Sequence, residues 1–259
     1  MANIKHLECH SRFRFTKAGK HSYLDMTRGI LESDVVFHLA SPVGVARVVK
    51  NPRECLRSMT SLSQEVFSIA AYGHKKVFYA SSSEAIEDGP SENPRSAYGI
   101  GKRYCEALAF SYGDDFPITI GRFYNIAGPR QNLLFVLPIF ILQALDSHPM
   151  TIYGDGQQRR SFCHVRDAVE AILALSESPE ATGKVCDIGR RDSVTLLELA
   201  EQVKAVTGGD SEIAFIPYPF GEEVSRRMPN LKKIEAFCGW KPKRGLVEII
   251  QDTVEVMRG

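Results

Sequence analysis

The spacing of three apolar runs constrains this chain more than any other feature. Residues 34–40 (DVVFHLA), 76–80 (KVFYA) and 117–123 (PITIGRF) are short and continuous rather than alternating. Such runs suit strands covered on both faces, as in a parallel sheet. Helical patterns lie between them. Pro52 opens one that runs through 56–71 and stops near Gly73, and another carries Tyr98 and Lys102 to about Tyr112. Residues 87–94, with Gly89, Pro90, Ser91, Asn93 and Pro94, read as a loop. Strand, helix, strand, helix, strand in this order predicts an α/β fold.

The pattern continues beyond Gln131 with a different character. An apolar helix is expected over 133–145, a strand over 150–153, and a polar turn at GDGQQRR. Residues 168–175 read as helix and 184–188 as another strand of the sheet. An amphipathic helix over 194–206 stops at Gly208-Gly209, and a small strand follows at 213–217. Two helices over 230–257 are separated by Gly239-Trp240-Lys241-Pro242. Residues 1–29 are polar and mixed, with one short strand expected at 12–16.

Composition narrows the partners. A formal net charge of +1 and a pI near 7.6 give no electrostatic case for nucleic acid or an anionic membrane. No apolar run approaches a membrane span, and the first residues carry no secretory h-region, so a cytoplasmic protein is expected. The six cysteines stand apart, without CxxC spacing, and read as reduced thiols. No metal site is expected.

Tyr98-Gly99-Ile100-Gly101-Lys102 places a phenol and an ammonium one helical turn apart. A lysine held beside a tyrosine favours the phenolate, and a phenol so tuned can take a proton from a sugar hydroxyl. Ser83, in the run Ser81-Ser82-Ser83-Glu84, can hydrogen-bond the same oxygen. A Tyr-x-x-x-Lys pair alone fits a solvated helix face better; its neighbours carry the chemical reading.

Seven segments in order carry a resemblance: VFHLASPVGV (36–45), VFYASSSEA (77–85), SAYGIGK (96–102), GRFYNIAGPRQ (121–131), TIYGDGQQRRSFCHVRDAV (151–169), CDIG (186–189) and RRMPNLKKIEAFCGWKP (226–242). The chain resembles the extended short-chain dehydrogenase/reductase family, in particular its nucleotide-sugar epimerases, dehydratases and decarboxylases. The resemblance implies a Rossmann-like doubly wound parallel sheet with a smaller C-terminal α/β part. Residues 1–131 would form a partial NAD-binding domain, to which about 164–206 return; 132–163 and 207–259 would form the substrate-binding part. It implies Ser83, Glu84, Tyr98 and Lys102 as catalytic residues. Leu39, Ala40, Ser81 and Phe123 would join Tyr98 and Lys102 in holding NAD. Ser83, Asn125, Arg160 and Arg227 would bind a nucleotide sugar, although surface ion pairs also fit both arginines.

The implied chemistry oxidises C4 of the sugar through NAD. A 4-epimerase reading comes first, supported by VGV after the HLA run. A UDP-glucuronate decarboxylase is the alternative, since Ser83-Glu84 and Arg227 fit that branch. Dehydratases of the family have an Asp-Glu pair at this place, so dehydration is disfavoured.

Relatives also carry a GxxGxxG loop between their first strand and helix, and this sequence has none. Losing two charge-assisted hydrogen bonds to the pyrophosphate, at roughly 1.5–3 kcal/mol each, would weaken NAD binding about a hundred- to ten-thousand-fold. Met59, Leu62 and Ile86-Glu87 depart from the family pattern as well. A mis-assigned start, a fragment, or a catalytically impaired sugar-nucleotide-binding homologue would each account for this. The strand at 35–40 should then lack its inner neighbour, with residues 1–30 poorly packed or 12–16 moved in beside it. A homodimer through a four-helix bundle is a further expectation, with Phe67, Ala70, Leu108 and Tyr112 as candidate contacts.

Overall fold

A computed structural model describes residues 2–17, 22–86, 93–94, 96–217 and 228–258 of the protein. After a 3-10 turn at Ala2–Leu7 the elements run α1 (Ser22–Glu32), β1 (Val35–His38), α2 (Val45–Lys50), α3 (Pro52–Tyr72), β2 (Lys76–Ser82) and a 3-10 segment, Ser83–Ile86. Then come α4 (Ser96–Ser111), β3 (Ile118–Phe123), β4 (Ile126–Ala127), α5 (Val136–Leu145), β5 (Met150–Tyr153), β6 (Arg159–Ser161), β7 (Cys163–His164) and α6 (Val165–Glu177). The chain closes with β8 (Lys184–Ile188), β9 (Ser193–Thr195), α7 (Leu196–Thr207), β10 (Ile213–Ile216), α8 (Lys232–Cys238) and α9 (Leu246–Arg258).

β1, β2, β3 and β8 pair in that order, all parallel, into the main sheet. Two apolar clusters cover its faces. On one side Val77, Tyr79, Ile118 and Ile120 pack against Ile30 of α1, Val66, Phe67 and Ala70 of α3, and Cys105 and Ala109 of α4. On the other, Phe78, Cys186 and Ile188 meet Ala168, Ala171 and Leu175 of α6, with Ile234 of α8 and Trp240. This two-sided covering explains why the strand sequences are continuous in apolar character. A further cluster joins α5, β5, α7 and α9 through Leu137, Ile141, Ile152, Leu199, Val203, Ile249 and Ile250. α7 packs in this second cluster through Leu199, Ala200 and Val203.

The punctuation is local. Pro52 stands in the first turn of α3, where its missing N–H costs nothing. Thr195 and Glu198 close a capping box at the start of α7, and Gly208 ends it at φ 73°. α5 starts at Val136, three residues later than expected, with Pro138 in its first turn.

The N-terminal expectations need correction. Residues 12–16 form no strand and lie mostly exposed; Phe13 and Phe15 alternate with Arg12 and Arg14, but no described strand pairs with them. β1 pairs only with β2 among the described residues, so residues 12–16 have not moved in beside it. Residues 3–17 are loosely packed, but residues 22–32 form the unexpected helix α1. It is ordered by Met26, Ile30 and Leu31, which fold onto α3. The proposed dimer contacts are also core: Phe67 and Ala70 are fully buried, and Leu108 and Tyr112 pack in the same cluster, because that side of both helices faces the sheet. The outward face of α4 instead carries Ile100, Tyr104 and Phe110.

Candidate active site

Two glycines bring the Tyr98 helix into place. A Cβ at Gly99 would lie 2.4 Å from the carbonyl oxygen of Glu84, and one at Gly101 would lie 2.1 Å from Cε of Met59. α4 therefore runs against the Ser83–Ile86 backbone at a separation only glycine permits, while on its other side the Met59 side-chain tip fills the space beside Gly101. That approach sets Tyr98 beside the carboxyl ends of β1 and β2, where ligands of open α/β sheets bind.

The phenol of Tyr98 hydrogen-bonds with Ser82 and Ser41. Neither was singled out from the sequence, although Ser41 directly follows the HLA run and Ser82 sits within the serine triplet. Ser83 is buried, and Glu84 stands next to it, its backbone N–H donating to Ser82 Oγ at 3.2 Å. Burial pushes the Tyr98 phenol up to about 12, and the Glu84 carboxylate adds to the rise. The expectation of a phenol lowered by lysine is therefore not met in this state of the site. Lys102 explains why: its Nζ donates to the Ala80 carbonyl at 2.6 Å and lies 5.8 Å from the Tyr98 ring centre. At 2% exposure the ammonium is itself destabilised, and desolvation brings it down to about 8.

Beneath them lies a charged group that the sequence reading overlooked. Glu106 stands on α4 one turn beyond Lys102 and is 5% exposed. Its carboxylate takes two hydrogen bonds from Arg122 of β3, at 2.9 and 2.6 Å, and a short one from Ser81 of β2. Ser81 and Arg122 are register partners across β2 and β3. The signal was available: a charged residue inside the apolar run PITIGRF calls for a buried counter-charge. Ser81 accordingly spends its hydroxyl on Glu106 and does not offer it to a cofactor. It lies on the α3/α4 face of β2 with Val77 and Tyr79, as strand alternation requires.

The remaining expected residues scatter. Leu39 and Ala40 are exposed just past β1. Phe123 ends β3 with its ring 6.3 Å from that of Phe78. Asn125 follows at φ 33°, exposed, a backbone conformation asparagine tolerates better than most residues. Its carbonyl accepts from Cys163 N–H at 3.1 Å. Arg160 lies on β6, paired antiparallel with β9, and donates to the Arg159 carbonyl. Arg227 falls outside the described residues, as does Glu87. His6 and His10 stand in H-x-x-x-H spacing, but across a 3-10 turn and its exit, where residues four apart do not share a face. No three potential ligands converge on a metal among the described residues. Nor is any described helix long and apolar enough to cross a membrane.

The donor set suits the nicotinamide-ribose end of NAD. One N–H of Lys102 is placed on Ala80, and its other two have no acceptor among the described residues. These are donors that ribose hydroxyls satisfy.

Fold and site together define a Rossmann-like α/β protein with a Tyr-Lys pair at the carboxyl end of its parallel sheet. The sequence profile of the NAD dependent epimerase/dehydratase family matches residues 6–189. A UDP-N-acetyl-alpha-D-glucosaminuronate decarboxylase from Bacillus cytotoxicus is 34% identical over 246 residues, covering 85% of this chain and 76% of its own length. UDP-glucuronic acid decarboxylase 1 of Arabidopsis thaliana is 32% identical over 95% of this chain, which spans 59% of that protein. Among solved structures, the Thermotoga maritima UDP-glucose 4-epimerase with UDP-glucose superposes with a TM-score of 0.84 at 26% identity, over 94% of this chain and 84% of that one. The fold is also that of Bacillus cereus UDP-glucuronic acid 4-epimerase with UDP-glucuronic acid and NAD, at TM-score 0.87, 22% identity, and 99% and 85% coverage. The chain belongs to the NAD dependent epimerase/dehydratase family, a family of enzymes whose relatives here are nucleotide-sugar epimerases and decarboxylases.

Proposed function

We propose that this site decarboxylates a UDP-hexuronate through a 4-keto intermediate. The observation that carries the reading is the Glu84 carboxylate, adjacent to Ser83 and close enough to raise the Tyr98 phenol. The curated relatives quoted above are decarboxylases of UDP-uronates, which supports the same choice.

NAD, when bound, supplies the reversible hydride acceptor that makes and later reduces a ketone at C4. Lys102 holds its ribose through the two free N–H donors, with Leu39, Ala40 and Phe123 as apolar walls. Tyr98 takes the proton of the 4-hydroxyl as the ketone forms and returns it at the end. Ser83 donates a hydrogen bond to the same oxygen. A C6 carboxylate β to that ketone leaves as carbon dioxide, its bonding pair passing into the C4–C5 enolate, and Glu84 is assigned to take a proton from solvent and pass it to C5. Asn125, Arg160 and Arg227 are assigned to the nucleotide sugar, the arginines to its diphosphate and uronate.

The test is incubation with NAD and, separately, UDP-glucuronate, UDP-N-acetylglucosaminuronate and UDP-glucose, following carbon dioxide and the product by NMR. Carbon dioxide release from a uronate is expected, and Glu84→Gln should suppress it. Inversion at C4 without carbon dioxide would overturn the decarboxylase reading in favour of a 4-epimerase, the reading Val43-Gly44-Val45 supports. NAD and UDP binding without turnover of any of the three would leave a binding homologue. Because the sequence holds no GxxGxxG, weak NAD binding goes with the proposal, and calorimetry should find it weaker than micromolar. For assembly the reading is a homodimer covering Ile100, Tyr104 and Phe110 on α4. Light scattering should find a dimer that Tyr104→Glu dissociates.

A further inference from the structure

Tyr98, Lys102 and Glu106 stand at successive four-residue steps along one side of α4. The first two carry the proposed chemistry, and the third is bound on both sides by the sheet. Ser81 reaches it from β2, two residues before Ser83. Arg122 reaches it from β3, three residues before Asn125. One carboxylate therefore joins the helix bearing the acid/base pair to the two strands whose ends carry the other site residues. We infer that Glu106 is a positioning residue of the site, which fixes α4 in register on β2 and β3 and supplies the counter-charge that keeps the Lys102 ammonium protonated.

The surroundings of Lys102 leave Glu106 that role. Tyr98 and Cys105 face it from α4, Cys55 from α3, Tyr79 and the Ala80 carbonyl from β2, and His38 from β1. Burial holds both phenols and the Cys55 thiol up in their neutral forms and holds His38 down in its neutral form. Glu106 is the carboxylate of the set. Together with Cys105, its neighbour on α4, it opposes the desolvation that pulls Lys102 down, and Glu106 is the one of the two that is a carboxylate. Arg122 is held protonated chiefly by the same carboxylate, so removing the anion leaves its half-buried guanidinium without its hydrogen-bonded partner and with Asp187 as the remaining counter-charge.

The inference does not depend on which product the site forms, and its test needs no turnover. The 15N resonance of Lys102 Nζ is followed against pH in the full chain. Glu106→Gln, which keeps shape and hydrogen-bonding groups, should lower the titration midpoint by on the order of one pH unit or more. Ser81→Ala, which removes a hydrogen bond but no charge, should leave it within a few tenths. Arg122→Gln, which leaves the anion uncompensated, should move it upward and keeps the idea testable if Glu106→Gln does not fold. Unmoved midpoints in the charge variants, with only a lower thermal midpoint, would reduce Glu106 to a structural ion pair and overturn the inference.

Discussion

Lys102 donates to the carbonyl of Ala80 at 2.6 Å, and its Nζ lies nearer the Tyr79 ring centre, at 4.9 Å, than that of Tyr98, at 5.8 Å. The cation is thus tied to β2 while the phenol faces Ser82, Ser41 and Glu84. Burial acts on both, raising Tyr98 to about 12 and lowering Lys102 to about 8. Burial thus drives the two apart from ordinary values that nearly coincide, and leaves the Lys102 ammonium as the member of the pair that titrates nearest neutrality.

Tyr98→Phe removes the acid/base group and little else. Turnover should fall about 10²–10⁴-fold, with nucleotide-sugar binding nearly unchanged, because the phenol acts in the transition state. In the wild type kcat/KM should climb with pH up to about 8, since the phenolate fraction grows with pH while Lys102 is still charged. Equal losses in binding and rate, or a flat profile below pH 8, would remove Tyr98 from its role.

Lys102→Met should stabilise the fold while abolishing turnover. The ammonium's fall from 10.5 to about 8 corresponds to about 3 kcal/mol of destabilisation below pH 8. Between pH 8 and 10.5 the unfolded chain binds the proton more strongly than the folded one, so wild-type stability gains with pH there. The difference in urea midpoint between variant and wild type should shrink across that window.

His38 predicts the acid side. Burial and the Lys102 charge hold its imidazole at about 4, and its Nε2 lies 3.0 Å from Ser63 Oγ. The folded-state value is depressed, so stability present above pH 6.5 is lost as pH falls towards 4, by about 3 kcal/mol. His38→Gln should flatten this part of the stability curve measured by urea unfolding. An unchanged slope would show that other groups govern it.

Gly99→Ala sets two effects against each other. Alanine gains roughly 1 kcal/mol of helix propensity, but its Cβ would meet the Glu84 carbonyl oxygen at 2.4 Å. Backbone on both sides must shift, and the cost should exceed the gain, giving net destabilisation of about 1–3 kcal/mol. Activity should fall with it because Tyr98 is the adjacent residue. A thermal midpoint at or above wild type would show that the two segments separate freely.

Much was legible in the chain. The runs at 34–40, 76–80 and 117–123 marked strands that burial on both faces keeps apolar, and 184–188 matched β8 residue for residue. Pro52 opened α3, and Gly208 and Gly239, both left-handed, closed α7 and α8 where their backbone preferences require it. These are local causes, carried by propensity and period. Tyr98 and Lys102 shared a helix face for the same reason. What the sequence could not supply depends on contacts across the chain. Residues 12–16 had strand character but found no partner, and α1 formed because α3 was there to cover it. Ser41 and Ser82 became the phenol's neighbours only when β1 and β2 aligned their ends. Glu106 met Ser81 and Arg122, 25 and 16 residues away, only once the sheet register was set. The pKa of Tyr98 went up rather than down because burial, which no local spacing encodes, outweighed a lysine that the fold had turned towards Ala80.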